Sequence, residues 1–212
     1  MKFLKVAFKD LKIEFRTKNT INFMFLFALL SIMLFSATME NPDPAILWLV
    51  FIFAGMLGYS RAFLKEVETG TLEALKISPL PPTSILFGKI VFNGVLMLMI
   101  QALLIPIFIA VFGIYPENLF LAVVSITLGN LAFVVISSSL SLLVIKSRAR
   151  ELLLPVLLFP VLFPVVLSTV QAFTMAVNGN VEGISAPLSV IIAFTMAMIG
   201  VGYLTVDYAL VE

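Results

Sequence analysis

The chain has 212 residues, of which 61% are hydrophobic and 12% are charged. Soluble domains carry about 25% charged residues, so this composition, with a mean hydropathy of +1.16, excludes an ordinary soluble domain and indicates a membrane protein. The chain has neither cysteine nor histidine. Their absence excludes disulfides, thiolate chemistry and the side chain that most often serves as general base or metal ligand, so we expect neither an enzyme nor a metal site.

The N-terminal segment, residues 1–18, predicts a helix that lies in the cytoplasmic interface of the membrane. Leu4, Phe8, Leu11 and Phe15 recur at helical spacing and form one apolar stripe. The basic residues of the segment repeat on a different face, which suits contact with lipid headgroups, while the apolar side turns toward lipid or the helix bundle. The alternative is a basic flank that only fixes the topology of the first span.

Long intervals without charged residues predict the membrane spans, since a crossing takes roughly 20 apolar residues, with a range of about 17 to 25. The second span reaches residue 64 only if Arg61 snorkels to the interface. An outer loop at Asn178-Gly179-Asn180 is expected to follow the fifth span. We therefore predict an all-α polytopic fold in a single transmembrane domain, 1–212. Its six spans are 19–39, 44–64, 85–112, 118–145, 152–176 and 185–207.

The positions of the basic residues predict the orientation of these spans. All 13 Lys and Arg residues fall before the first span, between the second and third, or between the fourth and fifth. The opposite loops carry only acids. Because Lys and Arg accumulate in cytoplasmic loops, both termini are expected in the cytoplasm, with the chain in the cytoplasmic (inner) membrane. Trp48 and Tyr115 fall near outer span ends, where an aromatic belt is expected.

Polar side chains inside the spans are few and uncharged. A proton- or ion-coupled carrier usually keeps an ionisable residue at depth, and none lies far from a span end. Asp207, one turn from the cytoplasmic end of the last span, is interpreted as an interfacial acid. The uncharged polar residues are chiefly Asn93, Gln101, Asn130, Gln171, Ser137, Ser138, Ser139 and Ser141.

Prolines are concentrated in the fifth span, which contains Pro155, Pro160 and Pro164, and Pro106 lies in the third. Each proline removes a backbone hydrogen bond and bends a helix. Two interpretations are open: a bent or broken helix that lines a pathway or bends during transport, and ordinary helix packing.

The cytoplasmic segment 65–84 is longer than a simple connection between two spans. Thr71 is expected to cap a short helix that Ser78-Pro79 ends. Residues 81–84, with the sequence Pro-Pro-Thr-Ser, form a second breaker and cap before the chain enters the membrane at Ile85. A short surface helix between prolines suits docking to a soluble partner.

The same segment resembles a known signature. Glu66-x-Glu68-x-Gly70-Thr71-Leu72-Glu73-x-Leu75, followed by Pro79 and Gly88-Lys89, is similar to the motif after the second span in permeases of the ABC type-2 exporter class. The stretch LEALKISPLPPTSILFGK, the proline-rich fifth span, the basic N-terminal helix and the chain length resemble the CcmB family, the haem exporter B permeases of cytochrome c maturation. The resemblance runs essentially from end to end.

This resemblance implies an ABC type-2 exporter-like fold in which residues 65–84 form a coupling helix for a separate ATPase subunit. The residues expected to dock that subunit are Glu66, Glu68, Gly70, Thr71, Leu72, Glu73, Leu75, Pro79 and Pro81. The resemblance further implies a permease homodimer that pairs with two copies of a CcmA-like ATPase. Partners of the CcmC, CcmD and CcmE type are also implied, and no nucleic acid.

The cargo implied by the resemblance is haem, either transported or carried by the chaperone whose release the ATPase powers. No cofactor is expected to be bound firmly, because without His or Cys the haem iron would depend on Met or Tyr ligands. ATP is expected to bind the partner subunit. Gly88-Lys89 is followed by Ile90, and the chain contains no G-x-x-x-x-G-K-[ST] motif.

Two alternatives to a cytochrome c maturation permease are open. One is a generic ABC exporter permease for a drug, lipid or glycan, which would share the cytoplasmic motif. The other is a secondary carrier or a membrane assembly scaffold that works without an ATPase. Co-purification with a nucleotide-binding subunit would distinguish either kind of ABC permease from a carrier or scaffold that works without an ATPase.

Overall fold

The computed structural model describes residues 2–39, 43–59, 70–71, 77, 80–145, 147 and 149–211. Every regular element in this part of the chain is an α-helix, which confirms the predicted all-α fold. The helices are α1 (Lys2–Thr17), α2 (Asn19–Thr38), α3 (Ala45–Tyr59), α4 (Pro82–Phe112), α5 (Leu119–Val144), α6 (Arg150–Val177) and α7 (Ser185–Val211).

Five of these helices, α2, α4, α5, α6 and α7, are long and apolar enough to cross a membrane. They correspond to the first, third, fourth, fifth and sixth predicted spans. Helix α3 occupies the second predicted span but has 15 residues, and residues 60–64 of that span lie outside the described residues. The count of six spans therefore stays a prediction.

Helix α5 is the centre of the bundle. It packs most extensively against α6 and α7 and also contacts α4 and α3. Its residues 132–142 are all buried, and small hydroxyl side chains make this packing possible. Asn93 Nδ2 on α4 donates to Ser138 Oγ at 3.2 Å, and Ser139 Oγ donates to the carbonyl of Met198 on α7 at 3.2 Å. Such hydrogen bonds between helices satisfy polar side chains inside a membrane bundle.

Two glycines permit close approach between neighbouring helices. A Cβ atom on Gly58 would collide with the side chain of Met24, and one on Gly202 would lie 2.6 Å from Ser139 Oγ. Ala54, one turn before Gly58, is fully buried. The small residues of α3 therefore bring it against α2, as small residues spaced by four do in membrane helices.

Turns close the adjoining ends of α4 and α5 and the C-terminal end of α6. Helix α4 ends at Gly113, whose φ of 67° is in the left-handed region that favours glycine. Helix α5 begins at Asn118, whose side chain accepts a hydrogen bond from Leu121 N at 3.1 Å. Helix α6 ends at Val177, so the predicted loop 178–180 is confirmed.

The prediction that Trp48 lies in an outer aromatic belt is wrong. Its side chain is 2% exposed and meets Phe51 edge-on, with ring centroids 5.9 Å apart. The absence of a side chain at Gly129 allows the indole to pack directly against α5. Tyr115, by contrast, is exposed in the connection between α4 and α5.

The fifth predicted span is not broken. Helix α6 is continuous from Arg150 to Val177 and contains Pro155, Pro160 and Pro164. Pro106 lies within α4, which is also continuous. Bending at these prolines stays a prediction, as does ordinary helix packing as their role.

Candidate functional site

The residues predicted to dock an ATPase lie between α3 and α4. Gly70, Thr71 and Pro81 belong to the described part of the chain. The others, Glu66, Glu68, Leu72, Glu73, Leu75 and Pro79, lie outside the described residues.

Gly70 has a backbone conformation that few other residues adopt. Its φ is 69°, it is exposed, and no heavy atom lies within 4 Å of the position that a Cβ would take. Thr71, which follows it, and Ile77 both have helical conformation and exposed side chains. The left-handed backbone therefore favours glycine here, and no contact with the described residues does.

The pair Pro81-Pro82 marks the start of α4. Pro81 is extended, with φ −63° and ψ 139°, and Pro82 is the first helical residue, a position where the missing N–H of proline does no harm. Ser84 N donates to the carbonyl of Pro81 at 2.8 Å. The prediction that residues 81–84 open this span is confirmed, although the cap is made by the backbone of Pro81 and not by a side chain.

A buried ion pair fastens α1 to α4. Lys89 Nζ lies 2.8 Å from Asp10 Oδ2, and the two side chains are 3% and 8% exposed. Lys9 Nζ lies 3.2 Å from the other carboxylate oxygen of Asp10, but the Lys9 side chain is half exposed. Two charges removed from water must compensate each other, so the Asp10–Lys89 pair fixes the position of α1 on the first turns of α4.

Gly88 lets α1 lie directly on the backbone of α4. A Cβ atom at Gly88 would lie 2.7 Å from Val6 Cβ and 3.0 Å from the carbonyl oxygen of Phe3. The next residue along α4 is Lys89, so a close backbone contact and an ion pair hold the same short stretch of α1.

Glu14 connects α1 to α2. Its carboxylate accepts hydrogen bonds from Thr20 N at 2.6 Å, Thr20 Oγ1 at 2.9 Å and Ile21 N at 3.2 Å. Lys18, the residue between the two helices, has a left-handed φ of 55° and provides no side-chain cap. The acid thus takes the place of the cap and complements the positive end of the α2 dipole.

The bundle-facing side of α1 is not the apolar stripe that the sequence suggested. Leu4, Phe8 and Phe15 are exposed, whereas Leu11, the fourth residue of the stripe, packs partly against Phe92 and Leu96 of α4. Contact of the stripe with lipid stays a prediction. Asp10 and Glu14 instead lie on the buried face, together with Val6 and Ala7. The signal in the sequence was the spacing of four between Val6, Asp10 and Glu14 in an otherwise basic helix.

Within the described part of the chain, the buried charged side chains are Asp10, Glu14 and Lys89. All three lie at the junction of α1, α2 and α4. No group of three or more His, Cys, Asp or Glu residues that would hold a metal ion occurs among the described residues. The three buried charges therefore hold α1, α2 and α4 in position relative to one another.

Replacing Glu14 by Ala is expected to destabilise the protein by about 1–2 kcal/mol, the usual effect of losing a helix cap. Glu14→Gln keeps an acceptor but loses the charge, so its effect should be smaller. Thermal unfolding in detergent, followed by the fluorescence of Trp48, which is the only tryptophan of the chain, measures both. Equal stability of Glu14→Ala and the wild type would contradict the capping role.

Comparisons with known proteins agree with the resemblance seen in the sequence. The family model described as CcmB protein matches residues 1–211. The chain is 21% identical over 144 residues to heme exporter protein B of Pseudomonas aeruginosa, covering 68% of the chain and 65% of that protein. It is 26% identical over 155 residues to heme exporter protein B of Rhodobacter capsulatus, covering 73% and 70%. The chain thus spans slightly less than two thirds of the Pseudomonas protein.

Proposed function

The chain belongs to the CcmB protein family, and on that premise we propose that it is the permease subunit of an ABC transporter for cytochrome c maturation. The observation that carries the proposal is the family match over residues 1–211. The five long apolar helices supply the membrane domain that a permease needs. The relatives named heme exporter protein B support haem as the cargo of the system.

In this proposal a separate, CcmA-like ATPase subunit docks on residues 65–84 and supplies the work of ATP hydrolysis. The chain itself has no P-loop motif. Helix α4 begins at Pro82, within the last residues of the proposed docking segment, so displacement of that segment moves the start of α4. The side chain of Ile77 in this segment is exposed, which suits apolar contact with a partner.

The contacts of α1 with α4, which we call the α1–α4 clamp, are the Asp10–Lys89 ion pair and the packing of Val6 on Gly88. In the proposal, this clamp extends the movement to other helices. Lys89 and Gly88 on α4 hold Asp10 and Val6 on α1, and Glu14 on α1 holds the first turn of α2. A displacement at the start of α4 therefore reaches α2 through contacts that break only at considerable cost. The first predicted span and the third move together in this account.

In this proposal, the energy of ATP hydrolysis is used to release the haem-loaded chaperone, and this chain does not ligate the haem iron. The chain has neither His nor Cys, which are the usual ligands of haem iron together with Met and Tyr. In the proposal, the permease homodimer and two ATPase subunits change the conformation of CcmC-, CcmD- and CcmE-like partners and release the chaperone. Both chain termini lie on the cytoplasmic side of the inner membrane.

A deletion strain tests the assignment to cytochrome c maturation. The gene is deleted in a strain that has no second maturation system, and membrane proteins are stained for covalently bound haem. We expect c-type cytochromes to lose the stain and to regain it when the wild-type gene is restored. Normal haem staining of the c-type cytochromes in the deletion strain would contradict the proposal.

Gly70 provides a separate prediction about the docking segment. Gly70→Ala forces a Cβ into a left-handed conformation, which costs about 1–2 kcal/mol, whereas Gly70→Asn is tolerated better because Asn adopts this conformation more readily. Haem staining should therefore fall more with Ala than with Asn. The reverse order would show that side-chain size, and not backbone conformation, matters at this position.

A further inference from the structure

Three polar side chains deep in the bundle have atoms without a hydrogen-bond partner among the described residues. These atoms are Oε1 and Nε2 of Gln101 on α4, Oδ1 of Asn130 on α5 and Nε1 of Trp48 on α3. The side chains of Gln101 and Asn130 are 1% and 3% exposed. Burying a polar group without a hydrogen-bond partner is unfavourable, and most such groups in folded proteins are satisfied.

Gln101 and Asn130 lie at one level of the bundle. Helices α4 and α5 are joined by residues 113–118 and pack against each other, and Asn93 bonded to Ser138 fixes their register. Gln101 lies eight residues after Asn93, and Asn130 lies eight residues before Ser138. At a rise of about 1.5 Å per residue, both amides are therefore displaced by about 12 Å in the same direction from that hydrogen bond.

Trp48 reaches the same level from α3. A Cβ atom at Gly129 would lie 2.5 Å from Cη2 and 2.7 Å from Cζ2 of Trp48, and Gly129 directly precedes Asn130. Nε1 is two bonds from Cζ2 in the indole ring, so the donor lies on the side of Trp48 that faces α5. Thr169 of α6 also contacts this point, but its hydroxyl already donates to the carbonyl of Val165 at 2.7 Å.

This level is about half way across the membrane. Gln101 lies eleven residues before the outer end of α4, and Asn130 lies eleven residues after the outer start of α5. That separation corresponds to about 16 Å of helix, against a hydrocarbon core of about 30 Å. Helix α5, α3 and the part of α4 after Lys89 contain no charged residue, so a guest at this depth must be neutral.

We propose that Gln101, Asn130 and Trp48 form a water-binding site in the middle of the bundle. The unpartnered atoms comprise two acceptors, Oε1 and Oδ1, and two donors, Nε2 and Nε1. Water donates two hydrogen bonds and accepts two, and it is the usual partner of buried polar groups that the protein leaves unsatisfied. The site is independent of the ATPase partner and of the haem cargo.

The single tryptophan allows a direct test. Protein labelled with nitrogen-15 tryptophan gives one indole N–H signal in a nitrogen–proton correlation spectrum of the detergent-solubilised chain. We expect this signal to show a nuclear Overhauser contact with water in the wild type. Gln101→Leu should abolish the contact, because it removes two of the four groups that hold the water.

The matched control is Met97→Leu, which changes a fully buried apolar side chain one turn earlier on α4 and should preserve the water contact. Asn130→Leu is a second variant that should weaken it if Gln101→Leu does not fold. An indole N–H that shows no water contact in the folded wild type would overturn the proposal. A contact that survives both Gln101→Leu and Asn130→Leu would overturn it as well.

Discussion

Replacing Asp10 by Asn is expected to destabilise the protein by about 3–5 kcal/mol, because the change breaks a buried ion pair by removing the carboxylate next to the Lys89 ammonium. The two groups are 2.8 Å apart and nearly inaccessible to water. Thermal unfolding followed by Trp48 fluorescence should show the largest fall in midpoint among the single substitutions considered for this chain. Haem staining in the complemented deletion strain should fall with it.

Two variants separate the buried pair from the general charge of α1. Lys9→Met removes the half-exposed neighbour of Asp10 and should change stability by less than about 1 kcal/mol. The double variant Asp10→Leu with Lys89→Met replaces both charges by apolar groups and should recover most of the lost stability. A double variant as unstable as Asp10→Asn would show that the loss does not come from the uncompensated charge.

Gly88→Val should prevent α1 from packing on α4. Even a Cβ atom at this position lies too close to Val6 Cβ and to the Phe3 carbonyl, which belongs to the backbone of α1. Overpacking of this kind destabilises by about 1–3 kcal/mol, and the smaller Gly88→Ala should already be unfavourable. The same unfolding measurement reports both variants.

Gly94 is the matched control on the same helix, because a Cβ atom there meets no heavy atom within 4 Å. Gly94→Ala should stabilise the protein by up to about 1 kcal/mol, as alanine does in place of glycine within a helix. The two Gly→Ala changes are therefore expected to have opposite signs. If both raise the midpoint of unfolding, α1 does not lie on Gly88 as described.

The positions of the five long apolar helices could be predicted from the sequence, because a charge-free segment of about 20 residues forms few structures other than a membrane helix. The start of α4 was recognisable from the Pro81-Pro82 pair, and the end of α6 from the polar residues 178–180. The place of Trp48 was not, because its burial depends on Gly129, a residue far away in the chain. The spacing of apolar residues within α3 does not show that a glycine on α5 leaves room for the indole ring.

The candidate site was predicted in part. The proline pair was visible as a local signal of a helix start, whereas Gly70 was visible only as part of the family motif. The clamp was not, because Asp10 reads as one acid in a basic helix until Lys89 is known to lie opposite it. In the sequence, Lys89 is visible only as part of the family motif and as one of the basic residues that set the topology.

The central claim is that residues 65–84 dock an ATPase subunit, and co-purification tests it most directly. The tagged chain is solubilised from membranes of its native organism, and associated proteins are identified by mass spectrometry. We expect the wild type and Gly94→Ala to retain an ABC ATPase subunit, and Glu68→Lys and Glu73→Lys to lose it. A wild-type chain that purifies without any ATPase, or variants that retain it as fully as the wild type, would contradict the account.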